Sequence, residues 1–508
     1  MNSHTTLRRR ITSVTAAAAV LLAAGCSLPA RENSATGTSV STPAPTSRGM
    51  QVIVPPVSPT TSGSSAATSS GSAPSSGSSG STSSSSGAAG SGSAPPSSST
   101  TASAPASTPD PAPVDGLSVT AEDRARAVAA VKKMTVAQRA GTVLMGNSGK
   151  VIGTSDVADL GLGGVILMGS NGILDGTTNG EPAEVAALTA GLRDQVDPTM
   201  SGFPLLIGTD QEFGVVTRLK NGFTRFPAAF DYTGADPATA VAMVRKASAV
   251  AGSEMLAVGI NVDFAPVSDL LNDDAAAHDG SSAIGDRSYG SDPSLTGKMV
   301  AAAVEGYQSA GVAATLKHFP GIGGIATDTH EALPTLDLSC AQWNDGDSVP
   351  IRAGVKAGAA LAMTGHVLMP AVGATETPAS MSSVMVSDLL RGKGADGCTG
   401  LGFAGVSVTD SFEMAPIVDN YDSGEAAWRA LAAGEDLVLM PADPTAARDG
   451  IVAAVADGSL DGARLTDAAV QVMSLRAALG RMKVPDISTV NSAAHQAVAA
   501  EVNSAIGR

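Results

Sequence analysis

Basic residues are scarce in this sequence, and none cluster after the first ten positions. The chain carries 31 Lys and Arg residues against 47 Asp and Glu residues, a formal net charge of −16. Proteins that bind nucleic acid need clustered positive charge to contact phosphates. We therefore expect no nucleic-acid partner.

Two motif classes are also missing. No G-x-G-x-x-G turn follows the first predicted strand, which argues against an open, dinucleotide-binding sheet. No H-x-x-x-H or closely spaced Cys and His pattern occurs, so we expect neither a bound metal nor another cofactor. Metal binding remains the weaker alternative for the four side chains of suitable type, which are His318, Asp328, His330 and His366.

Only one apolar run is long enough to consider as a membrane segment, and it lies at the N-terminus. Ile11–Leu22 follows three arginines and is too short to span a bilayer, which favours a signal peptide. It ends in Leu22-Ala23-Ala24-Gly25-Cys26, which resembles a bacterial lipobox. We predict that residues 1–25 are removed and that a lipidated Cys26 anchors the protein to the outer face of the cell membrane. An ordinary secretory signal with an incidental cysteine is the alternative.

Residues 26–115 are predicted to form a disordered, lipid-anchored linker. Between about Glu32 and Val114 the composition reduces to Ser, Thr, Gly, Ala and Pro, which cannot bury enough apolar area to fold. The two cysteines beyond it are Cys340 and Cys398. An even pair in an oxidising exterior suggests a disulfide, with two free thiols as the alternative.

Residues 116–508 are predicted to form one catalytic domain of the α/β class. Short apolar runs alternate with Ala-rich helices such as Pro237–Gly259, Asp292–Gly311 and Gly424–Gly434, a pattern typical of a parallel sheet. Eight such runs indicate a (β/α)8 TIM barrel, and an open doubly wound sheet is the alternative. The predicted strands are Thr142–Gly146, Gly164–Met168, Pro204–Asp210, Asn261–Asp269, Ala314–Phe319, Ala360–His366, Gly405–Asp410 and Asp436–Met440.

Polar side chains follow several of these strands. In a barrel the carboxyl ends of the strands meet at one mouth, where catalytic residues lie. Any single Asp in such a position is more often a helix N-cap, but a whole set is harder to explain by capping. The set comprises Asp210, Asp269, Lys317, His318, His366 and Asp410.

Three residues, Asp410 from this set and the pair Asp328 and His330 from a loop, suit hydrolysis of a glycosidic bond. Asp328 and His330 lie on the same side of an extended loop, and a carboxylate beside an imidazole makes a plausible general acid/base. Asp410 follows a buried strand, so a rigid element would hold it as the nucleophile that retaining glycosidases require. Alternatively, Asp328 and His330 only pin the loop by hydrogen bonds.

The order of the motifs resembles that of glycoside hydrolase family 3, in its single-domain β-N-acetylglucosaminidase branch. The resemblance implies that Asp410 is the nucleophile, His330 the acid/base and Asp328 its partner. It also implies that Asp210, Arg287, Lys317 and His318 bind the terminal sugar. Phe213, Val215 and Ile322 depart from the family's pattern. The motifs are Asp210-Gln211-Glu212, Gly259-Ile260-Asn261, Phe264-Ala265-Pro266-Val267, Arg287-Ser288-Tyr289-Gly290, Lys317-His318-Phe319-Pro320-Gly321, Asp328-x-His330, Val408-Thr409-Asp410-x-x-x-Met414 and Ala433-Gly434-Glu435-Asp436.

The resemblance implies a retaining exo-β-N-acetylglucosaminidase that removes terminal GlcNAc from β-linked glycans. Its substrates would include muropeptides, the peptidoglycan fragments in which GlcNAc is β-1,4-linked to a muramic acid residue. We expect a monomer that needs no cofactor. Two alternatives within the family are a β-glucosidase and a β-GlcNAc phosphorylase. A third alternative, from another class, is a lipid-anchored protein that binds glycans without catalysis.

Overall fold

The computed structural model describes residues 116–169, 180–200 and 202–508. The predicted signal peptide, Cys26 and the predicted linker lie outside the described residues. Among the helices that are described, none has the length and apolar character needed to cross a membrane.

The described residues form a closed parallel barrel. Its strands are β1 (Leu144–Asn147), β2 (Gly164–Ile166), β3 (Leu206–Thr209), β4 (Val262–Asp263), β5 (Ala313–Phe319), β6 (Leu361–Thr364), β7 (Val406–Thr409) and β8 (Val438–Leu439). They pair in the order β7-β6-β5-β4-β3-β2-β1-β8. The two ends of this sheet meet where Val408 bridges Leu437, and the Leu437 amide donates to the Ser407 carbonyl at 3.0 Å. The predicted (β/α)8 barrel is therefore confirmed.

Alternation of side chains along the strands separates the interior of the barrel from its helical shell. Met145 and Leu206 belong to the apolar cluster inside the barrel, whereas their neighbours Leu144 and Ile207 pack outward against helices. This alternation follows from the period of two along a strand. The interior therefore holds a packed core beneath the mouth.

Helices surround the strands. They are α1 (Ala121–Val131), α2 (Val136–Thr142), α3 (Ser148–Val151), α4 (Asp156–Leu160), α5 (Pro182–Arg193), α6 (Pro237–Ala257), α7 (Pro293–Ser309), α8 (Cys340–Asp345), α9 (Ser348–Lys356), α10 (Ala415–Val418), α11 (Ser423–Ala433), α12 (Pro444–Asp457), α13 (Gly462–Leu479) and α14 (Ala493–Ala505). Two predicted helices start where the sequence places a cap. Asp236 and Asp292 accept hydrogen bonds from backbone amides in the first turns of α6 and α7, and a proline opens each helix.

Two stretches differ from the predicted elements. The fourth predicted strand, Asn261–Asp269, is regular only over β4. Pro266 further along has no amide to donate to the ladder, but Val267 still bridges Lys317. After β6 the chain forms a π-helix, Val384–Leu390, and then a short hairpin of Gly394–Ala395 with Cys398–Thr399. Cys340, at the start of α8, forms a disulfide with Cys398 in this hairpin.

Candidate active site

A cavity of about 320 Å³ opens at the carboxyl ends of the strands. Three larger cavities, of about 530, 480 and 470 Å³, lie among residues at the starts of strands and contain none of the predicted catalytic residues. The mouth cavity is therefore the candidate active site. Among the residues that line it are Asp210, Arg287, Lys317, His318, His330 and Asp410, which are all the predicted site residues except Asp328.

Asp410 is fixed at the end of β7. Its backbone amide donates to the Thr364 carbonyl of β6 at 2.9 Å, and its Oδ1 accepts from the Ser411 amide at 2.7 Å. Burial alone would raise the pKa of Asp410, but the nearby His318 and His366, with the Ser411 amide, bring this pKa below its ordinary value. Asp410 is therefore ionised at neutral pH, as a nucleophile must be.

His318 is held by a fully buried carboxylate, that of Asp269. The ring Nδ1 lies 2.7 Å from Asp269 Oδ2, and the His318 amide lies 3.1 Å from Asp269 Oδ1. Asp269 Oδ1 also accepts from the Ile322 amide at 2.8 Å. The departure at Ile322 therefore leaves this contact intact, because only its backbone takes part.

A compact cluster of charges forms the wall beneath Asp210. Lys317 Nζ lies 2.8 Å from Asp210 Oδ1 and 2.5 Å from Glu212 Oε1. Arg287 holds Glu212 through two hydrogen bonds, of 2.7 and 2.9 Å. Glu212 was not among the predicted site residues, although its spacing of two from Asp210 could have indicated it.

The pKa values of this cluster keep it charged. Burial would raise the pKa of Glu212, but Lys317 and Arg287 lower it to about 2. Burial alone would lower the pKa of Lys317. The negative charges of Asp210 and Glu212 have the larger effect, so the pKa of Lys317 is raised. Such a preorganised set of donors and acceptors suits the hydroxyls of a sugar.

Asp263, at the end of β4, is a second residue that the sequence analysis missed. It is fully buried, its Oδ1 accepts from the Gln211 amide at 2.9 Å, and its Oδ2 has no hydrogen-bond partner within the part of the chain that the structure describes. Burial raises the pKa of Asp263 well above its ordinary value. We therefore expect a neutral carboxylic acid that supports the strand leading to Glu212.

The hairpin after β3 carries Glu212 to the cavity. Its strands, Gln211–Phe213 and Val216–Thr217, turn at Phe213 and Gly214, which both have positive φ angles, of 69° and 59°. A positive φ is unusual for a phenylalanine. Its ring is buried edge-on against Phe226, with 5.2 Å between centroids. Packing of the Phe213 side chain therefore stabilises the turn, although Phe213 departs from the family's pattern.

His330 reaches the same cavity from an exposed loop after β5. Asp328 Oδ1 accepts from the His330 amide at 2.9 Å and lies 2.7 Å from ring Nδ1. The first of these hydrogen bonds is the main reason that the pKa of Asp328 is lowered. An ionised carboxylate only accepts, so Nδ1 carries a proton and Nε2 is left for a ligand. The Ala415 amide donates to the His330 carbonyl at 3.1 Å, which joins this loop to the segment after Asp410.

His366 lies beneath the cavity and does not line it. Its Nε2 donates to the Ser411 carbonyl at 2.9 Å, and its Nδ1 lies 2.9 Å from the Ser380 hydroxyl. Burial lowers the pKa of His366, so the ring is neutral and supports the loop after Asp410. Among the described residues, no group of three or more His, Cys, Asp or Glu side chains is arranged to hold a metal ion.

The family model for the glycosyl hydrolase family 3 N-terminal domain matches residues 136–475. The chain belongs to this family. A Paenibacillus structure, a glycoside hydrolase family 3 β-N-acetylglucosaminidase, is 34% identical with a TM-score of 0.64, over 73% of this chain and 69% of that one.

Curated relatives carry related names. A β-hexosaminidase of Stenotrophomonas maltophilia is 36% identical over 243 residues, which are 47% of this chain and 67% of the relative. β-Hexosaminidase A of Pseudoalteromonas piscicida is 31% identical over 292 residues, 55% of this chain and 46% of the relative. The match thus spans less than half of that longer protein.

Proposed function

We propose that this chain is a retaining exo-β-N-acetylglucosaminidase that hydrolyses terminal β-linked GlcNAc. The observation that carries the proposal is one cavity lined by an ionised Asp410, by His330 with its Asp328 partner, and by a preorganised cluster of charges. The names of the relatives, β-hexosaminidase and β-N-acetylglucosaminidase, support the choice of sugar.

The first step forms a glycosyl-enzyme. An oxygen of Asp410 attacks the anomeric carbon, and the bond from that carbon to the glycosidic oxygen breaks. His330 passes its Nε2 proton to the departing oxygen, while Asp328 retains the hydrogen bond from Nδ1. Asp410 thus acts on one face of the anomeric carbon and His330 acts at the glycosidic oxygen on the other, as retaining glycosidases require.

The second step releases the sugar. His330, now neutral, takes a proton from water through Nε2, and the water oxygen attacks the anomeric carbon. The bond to Asp410 breaks, and its carboxylate is restored. A neutral imidazole does not repel the carboxylate of Asp410, which a deprotonated Asp or Glu in the same place would do.

The charge cluster selects the terminal sugar. Asp210, Lys317, Arg287 and His318 would bind its hydroxyls and N-acetyl group. A cavity of about 320 Å³ is at the small end of the range for ligand sites, which suits a single sugar ring and exo cleavage.

We further propose that the substrates are peptidoglycan fragments with GlcNAc β-1,4-linked to a muramic acid residue. In this proposal a lipidated Cys26 and the linker of residues 26–115 hold a monomeric enzyme at the outer face of the membrane. The sequence Leu22-Ala23-Ala24-Gly25-Cys26 supports the anchor.

The activity is tested with p-nitrophenyl β-N-acetylglucosaminide and the full-length chain. We expect p-nitrophenol release to exceed that from the β-glucoside, with no requirement for phosphate. A 2-deoxy-2-fluoro or 5-fluoro sugar should trap an adduct on the peptide that contains Asp410. An adduct on another carboxylate, or a product phosphorylated at the anomeric carbon, would contradict the proposal.

The anchor is tested by labelling cells with a radioactive fatty acid. We expect the wild-type chain to carry the label and to fractionate with membranes, and Cys26→Ala to lose the label. A Cys26→Ala chain that stays labelled would rule out this anchor. Release of GlcNAc from defined muropeptides, measured beside chitobiose, tests the substrate class.

A further inference from the structure

A third carboxylate lies on the wall of the cavity, and the mechanism above gives it no task. Glu413 follows Asp410 by three residues and lines the same cavity. Its side chain is only 24% exposed. A charged group in such a position needs partners, because burial without them is costly.

The Glu413 carboxylate is held by two residues from one other segment, the end of β1 and the start of α3. Asn147, at the end of β1, donates from Nδ2 to Oε2 at 2.8 Å, and Lys150 Nζ lies 2.7 Å from Oε1. Lys150 also donates to the Ala442 carbonyl, after β8, at 2.5 Å. The Glu413 amide donates to the Ser411 hydroxyl at 3.2 Å. The carboxylate is therefore fixed in orientation, with its charge balanced by Lys150.

The position of Glu413 indicates which part of a substrate it meets. The charge cluster that would bind the terminal sugar comes from the segments after β3 and β4 and from β5. Glu413 comes from the segment after β7, two residues before Ala415, whose amide bonds the His330 carbonyl. His330 delivers its proton to the departing oxygen, so the leaving sugar lies on the His330 side of the mouth.

We infer that Glu413 binds the leaving sugar by accepting a hydrogen bond from one of its hydroxyls, which rests on the proposed function. A carboxylate only accepts hydrogen bonds, and the ion pair with Lys150 leaves no net charge that would demand a charged ligand. Hydroxyls of a saccharide fit both conditions. Asn147 and Lys150 are then positioning residues that act through Glu413.

The test compares two substrates that share the terminal GlcNAc and whose leaving groups are both poor enough to need acid assistance. N,N′-diacetylchitobiose releases a sugar with hydroxyls, and methyl β-N-acetylglucosaminide releases methanol. For Glu413→Ala in the full-length chain, we expect the ratio of kcat/KM for chitobiose to kcat/KM for the methyl glycoside to fall at least tenfold. Glu413→Gln keeps a carbonyl acceptor, so its ratio should fall less.

Two further variants sharpen the result. Asn147→Ala should lower the same ratio severalfold, because the carboxylate loses one of its supports. Glu425→Gln is the matched control: Glu425 forms an exposed ion pair with Arg429 on α11 at 2.7 Å, and its loss should leave the ratio unchanged.

The inference is overturned if Glu413→Ala lowers kcat/KM for both substrates by the same factor, since that is what a purely structural role predicts. A ratio within twofold of wild type overturns it as well, and in both cases the proposed function stands. A wild-type chain that cleaves neither these substrates nor the p-nitrophenyl glycoside would overturn both proposals.

Discussion

The two proposed catalytic groups of this barrel lie in opposite kinds of surroundings. Asp410 follows a buried strand, and its amide bonds to the neighbouring strand. His330 and Asp328 stand on a loop, with side chains 68% and 55% exposed. The nucleophile must meet one carbon along one line, whereas a proton can be delivered from a group that only needs to reach an oxygen. Rigidity is therefore concentrated at Asp410, where the proposed mechanism forms its covalent bond.

The largest effect should come from a change at Asp410, the group held by a buried strand. Asp410→Ala should lower kcat/KM by roughly 10⁴-fold or more for every substrate, because the variant lacks the carboxylate on which the glycosyl-enzyme is proposed to form. Azide should rescue part of the activity and give the α-glycosyl azide by direct displacement. A variant that turns over as fast as wild type would remove Asp410 from the mechanism.

The effect of a change at His330, on the exposed loop, should depend on the leaving group. His330→Ala should lower kcat/KM by about 10²- to 10⁴-fold for a sugar leaving group, the usual range for general acid catalysis. The loss should be smaller for p-nitrophenol, which departs without a proton. Azide should here give the β-glycosyl azide, since Asp410 still forms the intermediate. Equal losses for both leaving groups would contradict the assignment of His330 as the acid.

A substitution at Glu212 tests how much the buried charge cluster stabilises the fold. Glu212→Gln should reduce the free energy of unfolding at pH 7 by about 3 kcal/mol, because Lys317 and Arg287 lose their buried partner. The pKa of Glu212 is lowered to about 2 from an ordinary 4.5, so its charge stabilises the fold fully above pH 4.5 and progressively less as the pH falls toward 2.

Denaturant titrations at several pH values check this. The difference in free energy of unfolding between wild type and Glu212→Gln should be largest near neutral pH and should become smaller below pH 4.5. A difference that grows on acidification would mean that the charge of Glu212 is not what stabilises the wall. Glu425→Gln, on the surface, should change stability by less than about 0.5 kcal/mol.

The smallest effect should come from Asp328. Asp328→Asn keeps the shape but weakens the hydrogen bond that orients His330, so kcat should fall about tenfold for a sugar leaving group. Because both side chains are exposed, the free energy of unfolding should change by less than about 0.5 kcal/mol. A large loss of stability would instead favour a loop-pinning role.

The sequence was most informative about residues that follow strands. The apolar runs predict the strands, and the barrel geometry then brings Asp210, Lys317, His318 and Asp410 to one cavity. Position after a strand does not set the direction of a side chain, however. His366 ends a predicted strand as the others do, yet its ring contacts Ser380 and Ser411 below the cavity.

The residues that sequence reasoning missed depend on contacts between distant segments. Glu212 acquires its role from Lys317 and Arg287, and Glu413 from Asn147 and Lys150. These pairings require the register of neighbouring strands and the paths of their loops. The spacing of two from Asp210 could have indicated that Glu212 lies near the site, but short-range spacing does not show which distant residues Glu212 or Glu413 contacts.

The disulfide between Cys340 and Cys398 encloses β6, including Thr364, whose carbonyl accepts the Asp410 amide. A protease that cuts once within this enclosed stretch therefore leaves two fragments still covalently joined, which separate on a gel only after reduction. The nicked chain retains the strand against which Asp410, the proposed nucleophile, is aligned.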